Sequence, residues 1–295
     1  MPVWDEVHPA TISVQRTRAG DHCFVGYDDD ESNWDVLTTF AWTGLARGEK
    51  VMLFAAPRVS DDELWSRLEA DSPSMAGVRA CGQLVLTSMR ALLRPDRGFT
   101  AERQWQRIRE ETARARRQGY TGLRTYIDMH WVADLDADLD TMAHRESHAE
   151  HLFADGSYSE ICAYDRRRFD DDILARMCRA HPVNLLSRLG ELRAVHGDTS
   201  LRLIGEADLA TGEQFCAAVR GALARTAHSR ELVVDLTQLS FLSARCADDL
   251  LRLVGAAEEH DRVDVRCEPG QLRVLRALGE PGPDRLVLTG TGTRC

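Results

Sequence analysis

His144, His148 and His151 fall at i, i+4 and i+7. That spacing lines one face of a helix and could offer imidazoles to a transition metal, with Glu146 or Glu150 beside them. The surrounding residues are rich in Arg and Glu, so a solvated helix face accounts for the same pattern. His22 and Cys23 are neighbours in an apolar run, and successive strand residues point to opposite faces, so the pair cannot chelate from one face. Cys178 and His181 are separated by a predicted helix end. No metal and no cofactor is expected on these grounds.

Other motifs fail on spacing. Segment 44–51, GLARGEKV, carries Lys50, the only lysine of the chain. A phosphate-binding loop needs four residues between its glycines and a Ser or Thr after the lysine, where this chain has Val51. Segment 134–140, DLDADLD, imitates a calcium loop but places Leu139 at the turn glycine and Arg145 at the bidentate glutamate. An acidic loop ending in a helix cap is the simpler reading. The basic runs 114–117 and 165–169 suit surface solvation or an anionic contact. No nucleophile elbow, zinc-protease helix or dinucleotide glycine fingerprint is present, and an enzymatic function has little support.

The chain has 295 residues, 43% hydrophobic and 28% charged, enough for two soluble domains. A formal charge of −10 argues against nonspecific nucleic-acid binding, which draws on Lys and Arg at phosphates. Eight cysteines without a C-x-x-C indicate buried thiols rather than a disulfide scaffold. No apolar run approaches the length of a membrane span and the first residues lack a signal-peptide pattern, so a cytoplasmic location is expected.

The elements that must carry any site follow from periodicity. Strands are predicted over 22–27, 51–56, 83–88, 123–129 and 158–165. Helices are predicted over 31–47, from Ser60 with a capping box to Glu63, over 100–118, over 139–153 and over 171–180. Such alternation predicts a mainly parallel sheet flanked by helices. Further on, Val233, Val234, Leu236 and Leu239 form a strand punctuated by Asp235, Thr237 and Gln238 and running into a turn. A helix with the buried stripe Cys246, Ala247, Leu250, Leu251 and Val254 follows.

The segments GEADLAT, VVDLTQLSFLSARCADDLLRL and VDVRCEPGQLRVLRALG resemble the STAS domain of anti-anti-sigma factors over roughly the last hundred residues. In that family the turn after the central strand reads Asp-Ser-Ser-Gly, and its second Ser is phosphorylated by an anti-sigma kinase. Here Ser243, Ala244, Arg245 and Cys246 take those positions, so an arginine replaces the phosphoacceptor and switching at the usual place is excluded. Ser243 is read either as a helix N-cap or as a regulatory phosphoserine. Arg245 is either a solvated first-turn residue or a partner contact. The resemblance implies a partner surface of Ser243, Ala244, Arg245, Asp248 and Asp249.

The segments GDHCFVGYDDDESNWDVLTTFAWTGLARGEKVMLFAA, LRTYIDMHW and ICAYDRRRF resemble the MEDS domain, the methanogen and methylotroph sensory domain. The resemblance implies a RecA-like or KaiC-like sheet without a phosphate loop, used for sensing. The family's opening His-x-Cys-x-x-Tyr is met by His22 and Tyr27, with Phe24 at the Cys position and Cys23 one residue early. Asp128, Met129 and Trp131 match Asp-Met-Ser-Trp with His130 for the Ser. Glu146 matches a helical Glu, and Cys162, Tyr164, Asp165 and Phe169 match the closing motif. The implied ligand residues are His22, Tyr27, Asp128, His130, Trp131, Glu146, Cys162, Tyr164 and Asp165. Of these, Tyr27, Asp128, His130, Tyr164 and Asp165 are expected in the crevice at the carboxyl ends of the strands.

The expected organisation is a MEDS-like domain over 18–183, a helical connector over 184–197 and a smaller α/β STAS-like domain over 198–290. The expected function is a cytoplasmic signal-transduction regulator. An unknown small-molecule ligand would control docking to an anti-sigma factor or a serine kinase of the anti-sigma type. Neither nucleic acid nor membrane is an expected partner, and homodimerisation stays open. The alternatives are a scaffold in a STAS assembly and a nucleotide-binding RecA-like enzyme.

Overall fold

The structure is a computed structural model and describes residues 10–56, 59–72, 74–93, 99–134, 138–227, 231–257, 262–279 and 286–290. Residues 135–137 of the acidic segment 134–140 and the last cysteine, Cys295, therefore lie outside the described residues. Two compact units result, Pro9–Arg188 and Leu189–Cys295. Among the described residues no helix is long and apolar enough to cross a membrane.

The first unit runs β1 (Ala10–Ile12), β2 (His22–Tyr27), α1 (Asp30–Ala46), β3 (Lys50–Phe54), α2 (Asp61–Asp71), α3 (Met75–Cys81), β4 (Leu84–Thr87), α4 (Met89–Leu93) and α5 (Ala101–Arg117). It continues with β5 (Leu123–Asp128), α6 (Trp131–Asp134), α7 (Leu139–Ser147), α8 (Glu150–Phe153), β6 (Tyr158–Asp165), α9 (Asp171–Ala180) and β7 (Val183–Leu185). The strands form one sheet in the order β1-β7-β2-β6-β5-β3-β4, and their pairings are parallel. Every residue of β2, β3, β5 and β6 is buried, as both faces of a covered parallel sheet require. Caps set the helix starts: Asp29, Ser60 and Thr100 accept from the backbone N–H three residues on. Gly119, at φ +94°, ends the turn after α5.

One face of this sheet packs on α1. There the buried Arg124 donates from Nε to Glu49 Oε2 at 2.6 Å, and its guanidinium lies over Phe40, 4.3 Å from the ring centroid. Gly44 of α1 makes room: a Cβ there would lie 2.6 Å from Cδ of Arg124. The opposite face carries Phe24, Met52, Ile127, Cys162 and Tyr164, covered by Ile108 of α5, Met142 of α7, Phe153 of α8 and Met177 of α9.

In the second unit β8 (Leu192–Gly197), β9 (Ser200–Ala207), α10 (Gly212–Thr226), β10 (Glu231–Leu242), α11 (Ala244–Gly255), β11 (Arg262–Cys267), α12 (Pro269–Leu278) and β12 (Leu286–Gly290) follow one another. The sheet order is β12-β11-β10-β9-β8, parallel except for the antiparallel pair β8 and β9. The stripe Cys246, Ala247, Leu250, Leu251 and Val254 is buried as its helical spacing requires.

Four expectations need correction. The connector over 184–197 is not helical: its described residues supply β7 and β8 instead. Their exposed backbone edges are paired by β2 and β9, and Gly190, at φ +66°, interrupts any helix between them. The helix over 139–153 breaks after Ser147, because His148 leaves helical geometry at φ −124° and the buried Ala149 starts α8 on a new path. The strand of the second unit does not turn after Leu239. It extends to Leu242 through two irregularities against β9, and Asp235 stabilises the first by accepting from Thr237 N at 3.0 Å and Thr237 Oγ1 at 2.6 Å. The first sheet also begins before residue 18, because β1 pairs with β7.

Candidate functional site

The expected ligand residues separate into two groups at opposite halves of the parallel strands. At the carboxyl ends, Tyr27 Oη donates to Asp128 Oδ2 at 2.8 Å. The backbone N–H of His130 donates to Asp128 Oδ1 at 3.0 Å, and His130 Nδ1 lies 2.6 Å from the same oxygen. Asp165 accepts from Arg167 Nε at 2.7 Å. Asp128 is thus occupied in holding the ends of β2 and β5 together. A pocket of about 270 Å³ does open beside it, with Asp30, Glu31, Glu63, Tyr126 and Arg67 in its wall. Of the nine expected ligand residues only Asp128 lines that pocket.

Two of the expected ligand residues stand elsewhere. Tyr164 does not join the carboxyl-end group, because alternation along β6 turns it to the other face, where it stacks on Phe24 at 5.1 Å. Trp131 is packing: its ring lies 4.9 Å from Phe99, inside the core.

The second group lies nearer the amino ends, on the face covered by α7, α8 and α9. Strand register sets it. His22 pairs with Glu160 and Phe24 with Cys162, so His22, Glu160 and Cys162 project from one face of adjacent strands. From above, α7 contributes Arg145 and Glu146, and the residue just beyond α9 is His181. All six are buried. Arg145 is a fork on Glu160, with Nη1 at 2.5 Å from Oε1 and Nη2 donating to Oε2 at 2.8 Å, and its Nη1 also donates to Glu146 Oε2 at 2.6 Å. His22 Nε2 stands 3.0 Å from Glu146 Oε2, and its ring stacks on Phe153 at 4.6 Å. Cys162 Sγ lies 3.0 Å from Glu160 Oε1, and Tyr158 donates its hydroxyl to Glu160.

Burial and charge set the protonation of this cluster. Desolvation, reinforced by His181, pulls His22 down to about 4, so its imidazole is neutral near pH 7. Burial by itself would raise Glu146 and Glu160, but the Arg145 guanidinium outweighs it and holds both carboxyls below their ordinary range. Burial, with both carboxylates adding, drives the Cys162 thiol well above its usual value. A buried thiol of this kind is inert as a nucleophile.

The cluster forms part of the wall of a pocket of about 480 Å³ that His22, Glu146 and His181 line together with Gly20, Phe153 and Arg179. Polar atoms remain unspent beside it: Nε2 of His181, Nε of Arg145 and the Tyr164 hydroxyl are buried without a hydrogen-bond partner. Buried polar groups are ordinarily satisfied, and these three atoms stand close to the Glu146 carboxylate and the Cys162 thiol. Three members, His181, Arg145 and Glu160, were not anticipated. The signal for Glu160 was available, since a glutamate in the middle of a strand buried on both faces requires a cation.

His144, His148 and His151 do not form a chelating face. They are exposed, the rings of His144 and His148 lie 4.3 Å apart with Trp105 against His144 and His151, and His148 Nδ1 and His151 Nδ1 face the backbone oxygens of His144 and His148 at 3.0 and 3.1 Å, so three donor atoms do not converge on one point.

In the second unit Ser243 Oγ accepts from Cys246 N at 3.2 Å and caps α11. Ala244 and Arg245 are exposed, whereas Asp248 and Asp249 are half-buried and paired with Arg252. Leu209 and Phe241, 80% and 53% exposed, stand on the chain segments joined at this turn by the bond from Ser243 N to Ala207 O.

No curated protein matches this chain. The crystal structure of the flagellar accessory protein FlaH from Methanocaldococcus jannaschii is similar over 64% of this chain and 79% of that chain, with 8% identity and a TM-score of 0.40. The model of the MEDS family, the methanogen/methylotroph, DcmR sensory domain, matches residues 21–182, which include the whole buried cluster. That match spans more than half of the sequence, and the chain belongs to the MEDS family.

Proposed function

We propose that the first unit is a non-catalytic sensory module whose input site is the pocket walled by His22, Glu146 and His181. In this reading it controls a STAS-type second unit that docks an anti-sigma factor or a serine kinase of the anti-sigma type. The observation that carries the first part is a set of fully buried ionisable side chains at the edge of a pocket, inside the segment matched by a sensory family. Such groups cost stability and are characteristic of functional sites. The second part is supported by the exposed apolar residues Leu209 and Phe241 beside the capped start of α11, a surface of the kind that protein partners cover.

The carboxyl-end pocket favours no triphosphate. Among the described residues Asp30, Glu31, Glu63 and Asp128 line it with Arg67 as the one cation, a balance that weighs against the nucleotide-binding alternative. The scaffold alternative draws on Arg245, exposed at the position where the STAS resemblance expects a phosphoacceptor. Either way the ligand must bind two states of the protein unequally, and a coupling of about 1–3 kcal/mol is the usual scale.

The test is a quantitative capture from native cytosol with the full chain and the full-length variants Phe241→Asp and Arg245→Ser as baits. Retention of an anti-sigma regulator by the wild type and its loss in Phe241→Asp support docking at α11. Equal retention by both, or retention by neither, sinks that assignment.

A further inference from the structure

Four donor atoms from four separate segments meet beside the larger pocket, three of them from residues that line it. They are Nε2 of His22 on β2, a carboxylate oxygen of Glu146 on α7, Sγ of Cys162 on β6 and Nε2 of His181 just past α9. All lie within 4.8 Å of one another. We propose that these four side chains bind one divalent ion of the zinc class. The proposal rests on the reading of this pocket as the input site, and its test needs neither the second unit nor a partner.

Donor type and spacing fit. Two imidazoles, a thiolate and a carboxylate are the ligands of a borderline-soft ion, and bonds of ~2.0–2.3 Å in a tetrahedron place ligand atoms roughly 3.3–3.8 Å apart. Here His22 Nε2 is 3.0 Å from Glu146 Oε2 and 3.9 Å from Cys162 Sγ. Cys162 Sγ is 3.7 Å from Glu146 Oε2, and His181 Nε2 is 3.3 Å from that same oxygen. Modest side-chain adjustments close the shell around an ion.

The orientation of His181 carries the argument further. Its Nδ1 lies 2.7 Å from the backbone oxygen of Met177, and a carbonyl cannot donate, so Nδ1 carries a hydrogen. Its Nε2 is buried and stands 3.3 Å from Glu146 Oε2. Only a positive centre, a proton on Nε2 or a metal ion, can join that nitrogen to the carboxylate, and a metal ion would engage His22 and Cys162 as well. A backbone carbonyl fixing the far nitrogen is also the usual outer partner of a metal-bound histidine.

Charge is consistent as well. Arg145 is spent on Glu160 and Glu146. With Cys162 deprotonated, the two carboxylates and the thiolate exceed this one guanidinium by two negative charges, which a divalent ion neutralises. On binding, the metal–sulfur bond replaces the S–H bond, and the proton leaves to solvent through the pocket bordered by Gly20, Phe153 and Arg179.

The experiment uses the full chain, stripped with a chelator and titrated with Zn²⁺ against a competing colorimetric chelator, then with Co²⁺ as a spectroscopic probe. The expected result is one ion per chain, with thiolate-to-cobalt charge transfer and the visible bands of four-coordinate Co²⁺. Cys162→Ser should abolish the charge-transfer band and weaken Zn²⁺ binding at least tenfold, and His181→Gln should weaken it comparably. Controls at the exposed Cys81 and His148, Cys81→Ser and His148→Gln, should bind as the wild type does. Absence of stoichiometric Zn²⁺ binding in the wild type overturns the proposal, as does an unchanged affinity in Cys162→Ser or His181→Gln. If circular dichroism shows that both variants fail to fold, the wild-type cobalt spectrum decides. A four-coordinate thiolate spectrum retained in Cys81→Ser and His148→Gln supports the site, and any other spectrum rejects it.

Discussion

The two sheets of this protein are built on opposite economies. Under one face of the first, two glutamates, an arginine, two histidines and a thiol are packed out of reach of water, and the other face buries Arg124 with Glu49. The core of the second is aliphatic, with Leu201, Leu203, Val234, Leu250 and Val265 at its centre, and Asp235 is its one buried charged residue among those described. Burying ions rarely raises stability over a hydrophobic equivalent, whereas aliphatic packing does. The first unit thus carries its chemistry inside, and the second presents its distinguishing residues outside, around Phe241 and Ser243. The proposed roles, sensing in the first unit and docking in the second, would make those separate demands on a core.

The sharpest way to break this contrast is to remove the internal cation. Arg145→Met should cost about 3–5 kcal/mol in the metal-free protein, because Glu146 and Glu160 lose their counter-charge in the dry interior. Five of the six tryptophans lie between residues 9 and 188, so denaturant titration followed by intrinsic fluorescence reports chiefly the first unit. A loss of under about 1 kcal/mol would show that the cluster is wetter than its burial indicates. Next in size, Leu250→Ala should destabilise the second unit by about 3 kcal/mol through transfer and cavity terms. Amide exchange in β9 and β10 should reveal this, and the fluorescence transition should not shift.

Smaller effects sharpen the contrast at the second unit's surface. Ser243→Ala should cost about 1 kcal/mol by exposing the Cys246 N–H at the start of α11, and Ser243→Asp should restore most of it. If Ser243→Asp also leaves partner capture intact, the residue serves as a cap; loss of capture with stability intact assigns it a docking or regulatory role. Arg252→Ala should be the mildest change. Its guanidinium is solvent-exposed in both pairs, with Asp248 and Asp249, and the thermal midpoint should stay within measurement error while the salt dependence of partner binding alters.

Much of the fold was legible because periodicity is local. β2, β5, β6, α1, α5 and α9 fall close to where alternation, caps and Gly119 put them. The segment over 184–197 misled because Leu185, Leu186, Leu189 and Leu192 satisfy a helical spacing as well as two short strands, and only the free edges of two sheets decide between them. The site was half legible. His22, Glu146 and Cys162 were selected by motif, but no meeting place was assigned to them, because strand register alone sets His22 and Cys162 below the carboxyl-end crevice. His181 could not be found locally: it joins His22 only through the path of α9 over the sheet. Arg145 looked like one more surface arginine until α7 turned it inward.

The close approach of Gly44 to Arg124 bears on how this sequence can drift. A methyl group at position 44 would collide with the arginine stem, so the two positions are locked as a small and a large partner. Neither can change freely alone, but a shorter residue at 124 would vacate the volume that a side chain at 44 needs. Among relatives, Ala or Ser at the position of Gly44 should therefore accompany a shortened residue at that of Arg124, together with loss of the acid at Glu49 that the guanidinium now satisfies. Three positions on α1, β5 and the turn before β3 would then vary as one inherited unit.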